Sequence, residues 1–340
     1  MNKDFYDCKQ ILITGGTGSF GKAFLKKIIN QYPHIKRLVV FSRDELKQWE
    51  LKELYPEKDY PQLRFFIGDI RNKDRLRRAL DGIDIVIHCA ALKQVNTAEF
   101  NPIEYIDTNV LGSENIVQAC IESGVSKVVA LSTDKASSPI NLYGATKLCA
   151  DKLFIAANNI IGSKKIQFSI VRYGNVMGSR GSVMPFFMEK AKTGVIPITD
   201  PEMTRFNISL EEGTNMVIYA LENSIGGEIL VPKIPSYRII DVAKAIAPDA
   251  KIKIIGPRPG EKIHEQMISL SDSLSTYDIG NYYVILPPNE NYINKFLAKN
   301  KNSKLVPRNF SFNSKNNSFL NVQEIRELIR KHIDPEFVPL

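Results

Sequence analysis

Ile11-Leu12-Ile13-Thr14-Gly15-Gly16-Thr17-Gly18-Ser19-Phe20-Gly21 is the stretch whose reading decides the fold. A short apolar run ends in a glycine-rich turn, and a helical pattern opens directly after it. The glycines permit a tight turn and let the backbone come close to a pyrophosphate. The helix N-terminus adds unpaired N–H groups and a positive partial charge. A glycine triplet alone is a weak signal, because such a turn can merely pack a helix against a sheet. The strand before it and the helix after it favour a dinucleotide site. Gly15, Thr17, Gly18, Ser19, Phe20 and Gly21 are then its cofactor-side residues.

Outward from this turn the same rhythm repeats. Leu38–Phe41, Arg64–Ile67, Ile85–Ile87, Val128–Leu131 and Phe168–Val171 are further short apolar runs separated by amphipathic stretches. Near-continuous apolar strands are buried on both faces, which means a parallel sheet with helices on each side. Gly82, Gly124 and Gly162 each follow a helical pattern and precede a strand. Helices are expected at 74–80 and, from Pro102, over 103–123. The predicted fold is α/β: a Rossmann-like doubly wound parallel sheet with a smaller mixed α/β substrate-binding lobe. The expected units are 1–173, with returning segments at about 205–230, as the dinucleotide-binding domain. A discontinuous lobe follows over 174–285, then a C-terminal arm and helix over 286–340. Residues 285–320 are rich in Asn, Lys and Ser and read as an extended arm, with 322–333 as a docking helix.

Bulk properties narrow the function classes. At 340 residues and 44% hydrophobic content the chain can bury a large core, which excludes global disorder. The net charge of +8 comes from dispersed basic residues without a nucleic-acid motif, so an anionic small ligand is expected rather than nucleic acid. Cys8, Cys89, Cys120 and Cys149 lie far apart with no Cys-x-x-Cys pair, which argues against a zinc site or a redox pair. No apolar window approaches membrane-helix length and the N-terminus lacks a signal-peptide core, so no membrane association and a cytoplasmic location are expected.

The second expected strand ends at Phe41-Ser42-Arg43-Asp44. A carboxylate right at that strand end would hold the ribose 2′-hydroxyl of NAD. Ser42 and Arg43 stand there instead, and a guanidinium suits a 2′-phosphate, so NADP is the expected cofactor. The plainer alternative makes Arg43 a surface charge and Asp44 a helix cap. Asp69 and Ile70, after the third strand, are placed at the adenine. Ala90, Ala91 and Lys93, after the fourth, lie where the backbone approaches the cofactor.

The chemistry is concentrated in Ser132-Thr-Asp-Lys-Ala-Ser-Ser-Pro-Ile-Asn-Leu-Tyr-Gly-Ala-Thr-Lys147. Tyr143 and Lys147, four apart, share one face of a helix. There an ammonium can lower the phenol pKa and make Tyr143 a usable base. Thr133, Asp134 and Lys135 follow an apolar run, at the strand end where open parallel sheets place their chemistry. Each also has a structural reading, as a cap, a turn residue or a solvated lysine.

With these motifs the chain resembles the extended short-chain dehydrogenase/reductases. More closely, it resembles the inverting UDP-N-acetylglucosamine 4,6-dehydratases, the enzyme type that opens bacterial pseudaminic acid synthesis. The resemblance rests on Phe41–Glu45, Arg64–Asp69, Ser132–Lys135, Pro139–Lys147, Arg172–Val176, Gly178–Val183, Pro197–Asp200, Met203–Phe206 and Arg258–Glu265. Two positions depart from the family pattern: Asn96 stands where Pro is usual, and Asn207 where an aromatic is usual.

The resemblance implies a hydro-lyase reaction with inversion at carbon 5. UDP-N-acetylglucosamine would become UDP-2-acetamido-2,6-dideoxy-β-L-arabino-hex-4-ulose. Tyr143 would take the proton of the sugar 4-hydroxyl as hydride leaves carbon 4, and Lys147 would hold the nicotinamide ribose. Lys135, with a depressed pKa, would remove the carbon 5 hydrogen, and protonated Asp134 would assist loss of the 6-hydroxyl. Lys135 is the residue that separates this type from retaining dehydratases, which usually carry Glu there. For the nucleotide-sugar, Lys93, Asn175, Arg180, Thr199, Arg205, Arg258 and Glu261 are the candidates. Arginine forks suit the diphosphate, and Glu261 suits ribose hydroxyls. A homo-oligomer is implied, with a hexamer as one candidate size. The competing readings are a UDP-sugar 4-epimerase on the same fold and a non-catalytic NADP-sensing module.

Overall fold

The computed structural model describes residues 5–340; the first four residues of the expected 1–173 unit lie outside the described residues. Six strands alternate with helices: β1 (Gln10–Thr14), α1 (Ser19–Gln31), β2 (Arg37–Ser42), α2 (Glu45–Leu54), β3 (Leu63–Ile67), α3 (Lys73–Ala79) and β4 (Ile85–His88). Then come α4 (Val95–Phe100), α5 (Pro102–Tyr105), α6 (Gly112–Ser123), β5 (Lys127–Thr133), α7 (Leu142–Ile160) and β6 (Gln167–Tyr173). All six strands pair in parallel, in the order β3-β2-β1-β4-β5-β6. That order reverses beside β1, which is where a doubly wound sheet opens its ligand crevice.

Burial explains the strand composition. Ile11, Leu12, Ile13, Val39, Val40, Val86 and Ile87 are all sealed between two helical layers. In α1 the buried Phe24, Leu25, Ile28 and Ile29 form one stripe against the sheet. Gly21 lets α1 start so close to the turn: a Cβ there would meet the Gly16 carbonyl oxygen at 2.4 Å.

The helix expected over 103–123 is interrupted. Ile106–Leu111 is π-helical, between α5 and α6. Single π-turns of this kind re-aim side chains near functional sites. Here Asn109 exchanges two 2.9 Å hydrogen bonds with the backbone of Leu92 and donates to Thr146 Oγ1 at 3.1 Å. The loop after β4 is thereby tied to α7.

The remaining chain runs through β7 (Asn175–Val176), α8 (Val183–Ala191), β8 (Val195–Ile198), β9 (Thr204–Ile208), α9 (Leu210–Asn223), β10 (Ile229–Pro232) and β11 (Ser236–Arg238). It continues through α10 (Ile239–Ile246), β12 (Lys251–Ile254), β13 (Gln266–Ile268), β14 (Thr276–Asp278), β15 (Tyr282–Ile285), α11 (Glu290–Lys299), β16 (Lys304–Leu305), β17 (Phe312–Asn313) and α12 (Val322–His332). A second apolar cluster joins Met184 and Phe187 of α8, Ile196 and Ile198 of β8, Val242 and Ile246 of α10, and Ile325 and Ile329 of α12. This is the smaller lobe, and α12 docks on it.

Three segments sit differently from expectation. Within the returning stretch at 205–230, α9 and β10 do rejoin the main sheet, with β10 parallel to β6. β9 instead forms a three-stranded sheet with β7 and β11. Residues 276–285, expected in the lobe, add β15 and β14 to the main sheet as antiparallel strands. The 285–320 stretch is not a plain extended arm: α11 buries Phe296, and β16 closes the ten-stranded sheet beside β14. Its Asn and Lys residues cover exposed faces around a few apolar anchors, a pattern too sparse to read as periodicity.

Candidate active site

The C-terminal ends of β1, β2, β4, β5 and β6 open into a cleft of about 570 Å³. At its centre the glycine turn meets the loop after β4. Gly15 has φ +65°, and a Cβ on it would touch Ala90 Cα at 3.0 Å. Thr14 Oγ1 accepts from the N–H groups of Cys89 and Ala90 at 3.1 and 3.2 Å, which holds the two loops edge to edge. Gly18, the N-cap of α1, supplies no side chain to the first N–H groups of that helix.

At one end the cleft is lined by Ser42, Arg43, Asp44, Lys47, Gly68, Asp69 and Ile70. Asp44 caps α2 by accepting from Lys47 N–H at 3.0 Å. The Lys47 ammonium also pairs with the Asp44 carboxylate, so Arg43 is the cation of this wall that Asp44 does not occupy. Asp69 is ion-paired with Arg71 at 2.8 Å and faces Arg43 at 3.7 Å. Burial pushes the Asp69 carboxyl up, but the two arginines outweigh it and hold it low. A glycine-containing loop bridges the middle: Arg180 N–H donates to Ser19 Oγ at 3.3 Å, and Lys93 Nζ donates to the Arg180 carbonyl at 3.3 Å.

The other end holds the proton-handling groups. α7 begins at Asn141, whose side chain accepts from Gly144 N–H at 2.7 Å. Its first turns carry Tyr143 and Lys147 into the cleft. The short 3₁₀ turn Asp134–Ala136 after β5 packs directly on that helix start. A Cβ on Gly144 would lie 2.3 Å from the Lys135 carbonyl oxygen, so the glycine sets how close the two segments come. Lys147 Nζ donates to the Leu131 carbonyl at 2.8 Å. Behind it, Asp151 accepts from Ser132 Oγ at 2.8 Å and from Arg172 at 3.1 Å.

Lys135 is the hub. Its Nζ lies 3.0 Å from Asp134 Oδ1, 3.2 Å from Glu265 Oε1 and 3.4 Å from Asn175 Oδ1. Thr133 Oγ1 donates to the same Asp134 oxygen at 2.9 Å. Burial alone would lower the Lys135 pKa; the two carboxylates reverse this and hold it as ammonium. The expected depressed pKa is therefore not what this environment produces. Burial likewise dominates at Asp134 and pushes its carboxyl up, with Glu265 adding to the rise and Lys135 opposing it. At Glu265 burial also raises the pKa, but Lys135, Arg205 and Lys262 together hold it below the usual range. Two carboxylates beside one amine are thus pushed apart, the pattern that separates acid from base.

Burial pushes the Tyr143 phenol up to about 12. Lys135 is the main cation opposing this, and the neighbouring Thr133 hydroxyl also favours the charged phenolate. The sequence assigned that effect to Lys147, which instead is buried, lowered in pKa and turned to the Leu131 carbonyl.

The cleft brings together Gly15, Thr17, Gly18, Ser19, Phe20, Gly21, Ser42, Arg43, Asp69, Ile70, Ala90, Ala91, Lys93, Thr133, Lys135, Tyr143, Lys147, Asn175 and Arg180. Asp134 is wholly buried just behind its wall. Thr199, Arg205, Arg258 and Glu261 do not line it. Arg205 is buried and donates to the carbonyls of Thr204 and Ile263 at 2.8 and 3.0 Å, with Glu261 and Glu265 at 3.7 and 3.8 Å. Its guanidinium braces the wall from behind. Glu261 accepts from the Arg258 N–H at 3.3 Å, in a segment fastened to the α7 start by Asn141 Nδ2 donating to the Gly260 carbonyl at 2.7 Å. Asn96 is exposed on α4, and Asn207 is buried on β9 opposite Asn175. Glu265 was missed as a site residue. It stands in the quoted Arg258–Glu265 motif, but no local spacing links it to Lys135. Among the described residues no group of three or more His, Cys, Asp or Glu side chains could hold a metal ion. No helix among them is long and apolar enough to cross a membrane.

The family model described as "Polysaccharide biosynthesis protein" matches residues 11–287. The chain is 50% identical over 334 residues to an inverting UDP-N-acetylglucosamine 4,6-dehydratase of Campylobacter jejuni, covering 95% of this chain and 98% of that one. It is 42% identical over 330 residues to a protein of Rickettsia canadensis named UDP-glucose 4-epimerase, covering 94% and 95%. Among solved structures, that of Pen from Bacillus thuringiensis superposes with a TM-score of 0.88 at 37% identity, covering 96% and 98%. On the match over 11–287 and these near-full-length likenesses, the chain belongs to the polysaccharide biosynthesis protein family and has a short-chain dehydrogenase/reductase-like fold.

Proposed function

We propose that this protein is an inverting UDP-N-acetylglucosamine 4,6-dehydratase that uses NADP. The observation that carries the reading is the meeting of Asp134 and Lys135, 3.0 Å apart, with Tyr143 at one end of the cleft. A 4-epimerase needs the tyrosine but has no use for an acid–base pair at carbons 5 and 6. The near-full-length likeness to the Campylobacter dehydratase supports the same choice.

The residues of the cleft fit a nicotinamide dinucleotide. The Gly15 cradle, which a Cβ would fill, suits a pyrophosphate, and Arg43 suits a 2′-phosphate rather than a bare ribose. When bound, NADP would accept the hydride from carbon 4 and, in its reduced form, return that hydride to carbon 6. Tyr143 takes the proton of the 4-hydroxyl. Lys147 would hold the nicotinamide ribose. Lys93, Asn175 and Arg180 face the sugar diphosphate. Arg205 acts from behind the wall through Glu265, and Arg258, Glu261 and Thr199 are further candidates for the nucleotide end of the substrate.

An ammonium cannot take the carbon 5 hydrogen. Moving one proton from Lys135 to Asp134, across their 3.0 Å contact, creates an amine base and a carboxylic acid together. Lys135 then takes the proton from carbon 5, and Asp134 gives its proton to the departing 6-hydroxyl, which leaves as water. The pair ends as ammonium and carboxylate, as it began. A proton returning to carbon 5 on the opposite face gives the L-sugar. The same reading places the enzyme in the cytoplasm as a homo-oligomer, at the opening of a pseudaminic acid-type branch that serves surface or flagellin glycans.

Incubation with UDP-N-acetylglucosamine in deuterated water tests this. Loss of one water with deuterium at carbon 5 and inverted configuration is expected. The Rickettsia likeness gives the competing reading its weight: an isobaric product would establish an epimerase instead.

A further inference from the structure

Glu265 is the group in this site that the reaction, as drawn, leaves unused. It is 2% exposed, yet it carries a charge beside the hub of the chemistry. A buried carboxylate is costly unless it is paired. Its Oε1 is shared between Lys135 Nζ at 3.2 Å and Arg205 Nε at 3.8 Å, while Oε2 has no hydrogen-bond partner. The backbone is clamped on both sides by Ser314. Glu265 N–H donates to Ser314 Oγ at 2.9 Å, and Ser314 N–H donates to the Glu265 carbonyl at 2.8 Å. β13, which follows directly, pairs with β17. A residue held this firmly is placed for something other than packing.

The charges around Lys135 show what that is. Asp134 lies on its own turn, Glu265 and Lys262 lie on the 258–265 segment, and Arg205 reaches in from β9. Tyr143 from α7 and Tyr237 from β11 also lie within its field. Without Glu265, Arg205 and Lys262 would leave two cations set against one carboxylate, and Lys135 would hold its proton less tightly.

We propose that Glu265 is a positioning residue that keeps one proton on the Asp134–Lys135 pair and holds the ammonium against Asp134. This rests on the dehydratase reading. The working acid–base pair forms by moving that one proton within the pair, so a pair that has lost it has an amine but no acid. Removing the Glu265 charge should therefore empty the pair at lower pH.

The test follows water loss from UDP-N-acetylglucosamine by mass spectrometry, across neutral to alkaline pH, in the NADP-loaded enzyme. Three variants are compared with wild type: Glu265→Gln, Glu265→Asp and Arg205→Met. In Glu265→Gln the alkaline fall in activity moves down by about one pH unit or more, a tenfold or larger change in the ionisation constant. In Glu265→Asp, which keeps the charge, it stays nearer wild type. In Arg205→Met, which removes an opposing cation, it moves the other way. Reduced nicotinamide builds up on mixing Glu265→Gln with substrate, because oxidation continues while elimination slows. Melting temperature and NADP affinity check that each variant is folded, and Arg205→Met carries the test if Glu265→Gln is not. Equal loss of activity in the Gln and Asp variants with an unmoved profile would overturn the proposal. A wild-type enzyme that releases no water would instead overturn the underlying dehydratase reading.

Discussion

Tyr143 and Lys147 stand four residues apart on one helix, whereas Lys135 meets its partners only because three separate segments converge. On the proposed mechanism the first pair belongs to the hydride end of the site, built on α7 and the glycine turn, with Lys135 as the cation that chiefly opposes the rise of the Tyr143 pKa. The second belongs to the elimination end. There Asp134 comes from the turn after β5, Glu265 from the edge of β13, and Arg205 from β9. The difference teaches where each activity is stored. On the proposed mechanism, hydride chemistry draws mostly on local geometry around α7 and the glycine turn. Dehydration would draw on contacts between the turn after β5 and later segments of the chain.

The sharpest way to break this comparison is to remove the amine. Lys135→Met should lower dehydration by about 10²- to 10⁴-fold, the usual worth of a positioned proton-transfer group. Binding of NADP should hold, since no cofactor-side residue is altered; calorimetric titration of the variant checks this. A weaker cut falls at the joint between the two ends. Gly144→Ala forces a Cβ to 2.3 Å from the Lys135 carbonyl, a backbone clash that must move the 3₁₀ turn. Overpacking of this kind costs about 1–3 kcal/mol, so the melting temperature and turnover should both fall while NADP affinity stays close to wild type. The smallest effect lies wholly within the hydride end. Arg43→Ala should weaken NADP by about tenfold, in line with the loss of one charge-assisted hydrogen bond, and leave NAD affinity unchanged. Equal effects on both dinucleotides would show that Arg43 does not face the 2′-phosphate.

The same contrast governs what the sequence could tell. The glycine turn, the apolar strands and the Tyr143–Lys147 pair were readable because each is a short-range pattern: a turn chemistry, a burial period, a helical spacing. Helix α12 was readable for the same reason. The charge state of Lys135 was not, because the carboxylate that helps set it comes from far along the chain, through the pairing of β13 with β17. Arg205 misled in a related way. An arginine fork beside a presumed ligand looks free for a diphosphate until two carbonyls and two carboxylates are found around it. At 285–320 the polar composition hid α11 and β16, since one buried Phe296 gives no period to read. The π-turn at Ile106–Leu111 left no compositional mark either, and it is recognised only by Asn109 reaching Leu92.

The central claim is that the site has two separable halves, one for hydride removal and one for water loss. Rapid mixing of UDP-N-acetylglucosamine with NADP-loaded Lys135→Met and Tyr143→Phe, followed by the absorbance of reduced nicotinamide, tests it directly. The account predicts that Lys135→Met reduces the cofactor more slowly than wild type, because Tyr143 loses its main opposing cation, yet accumulates it with a 4-keto sugar that keeps its 6-hydroxyl, while Tyr143→Phe accumulates neither. Failure of both variants to reduce the cofactor, or water loss undiminished in Lys135→Met, would contradict it.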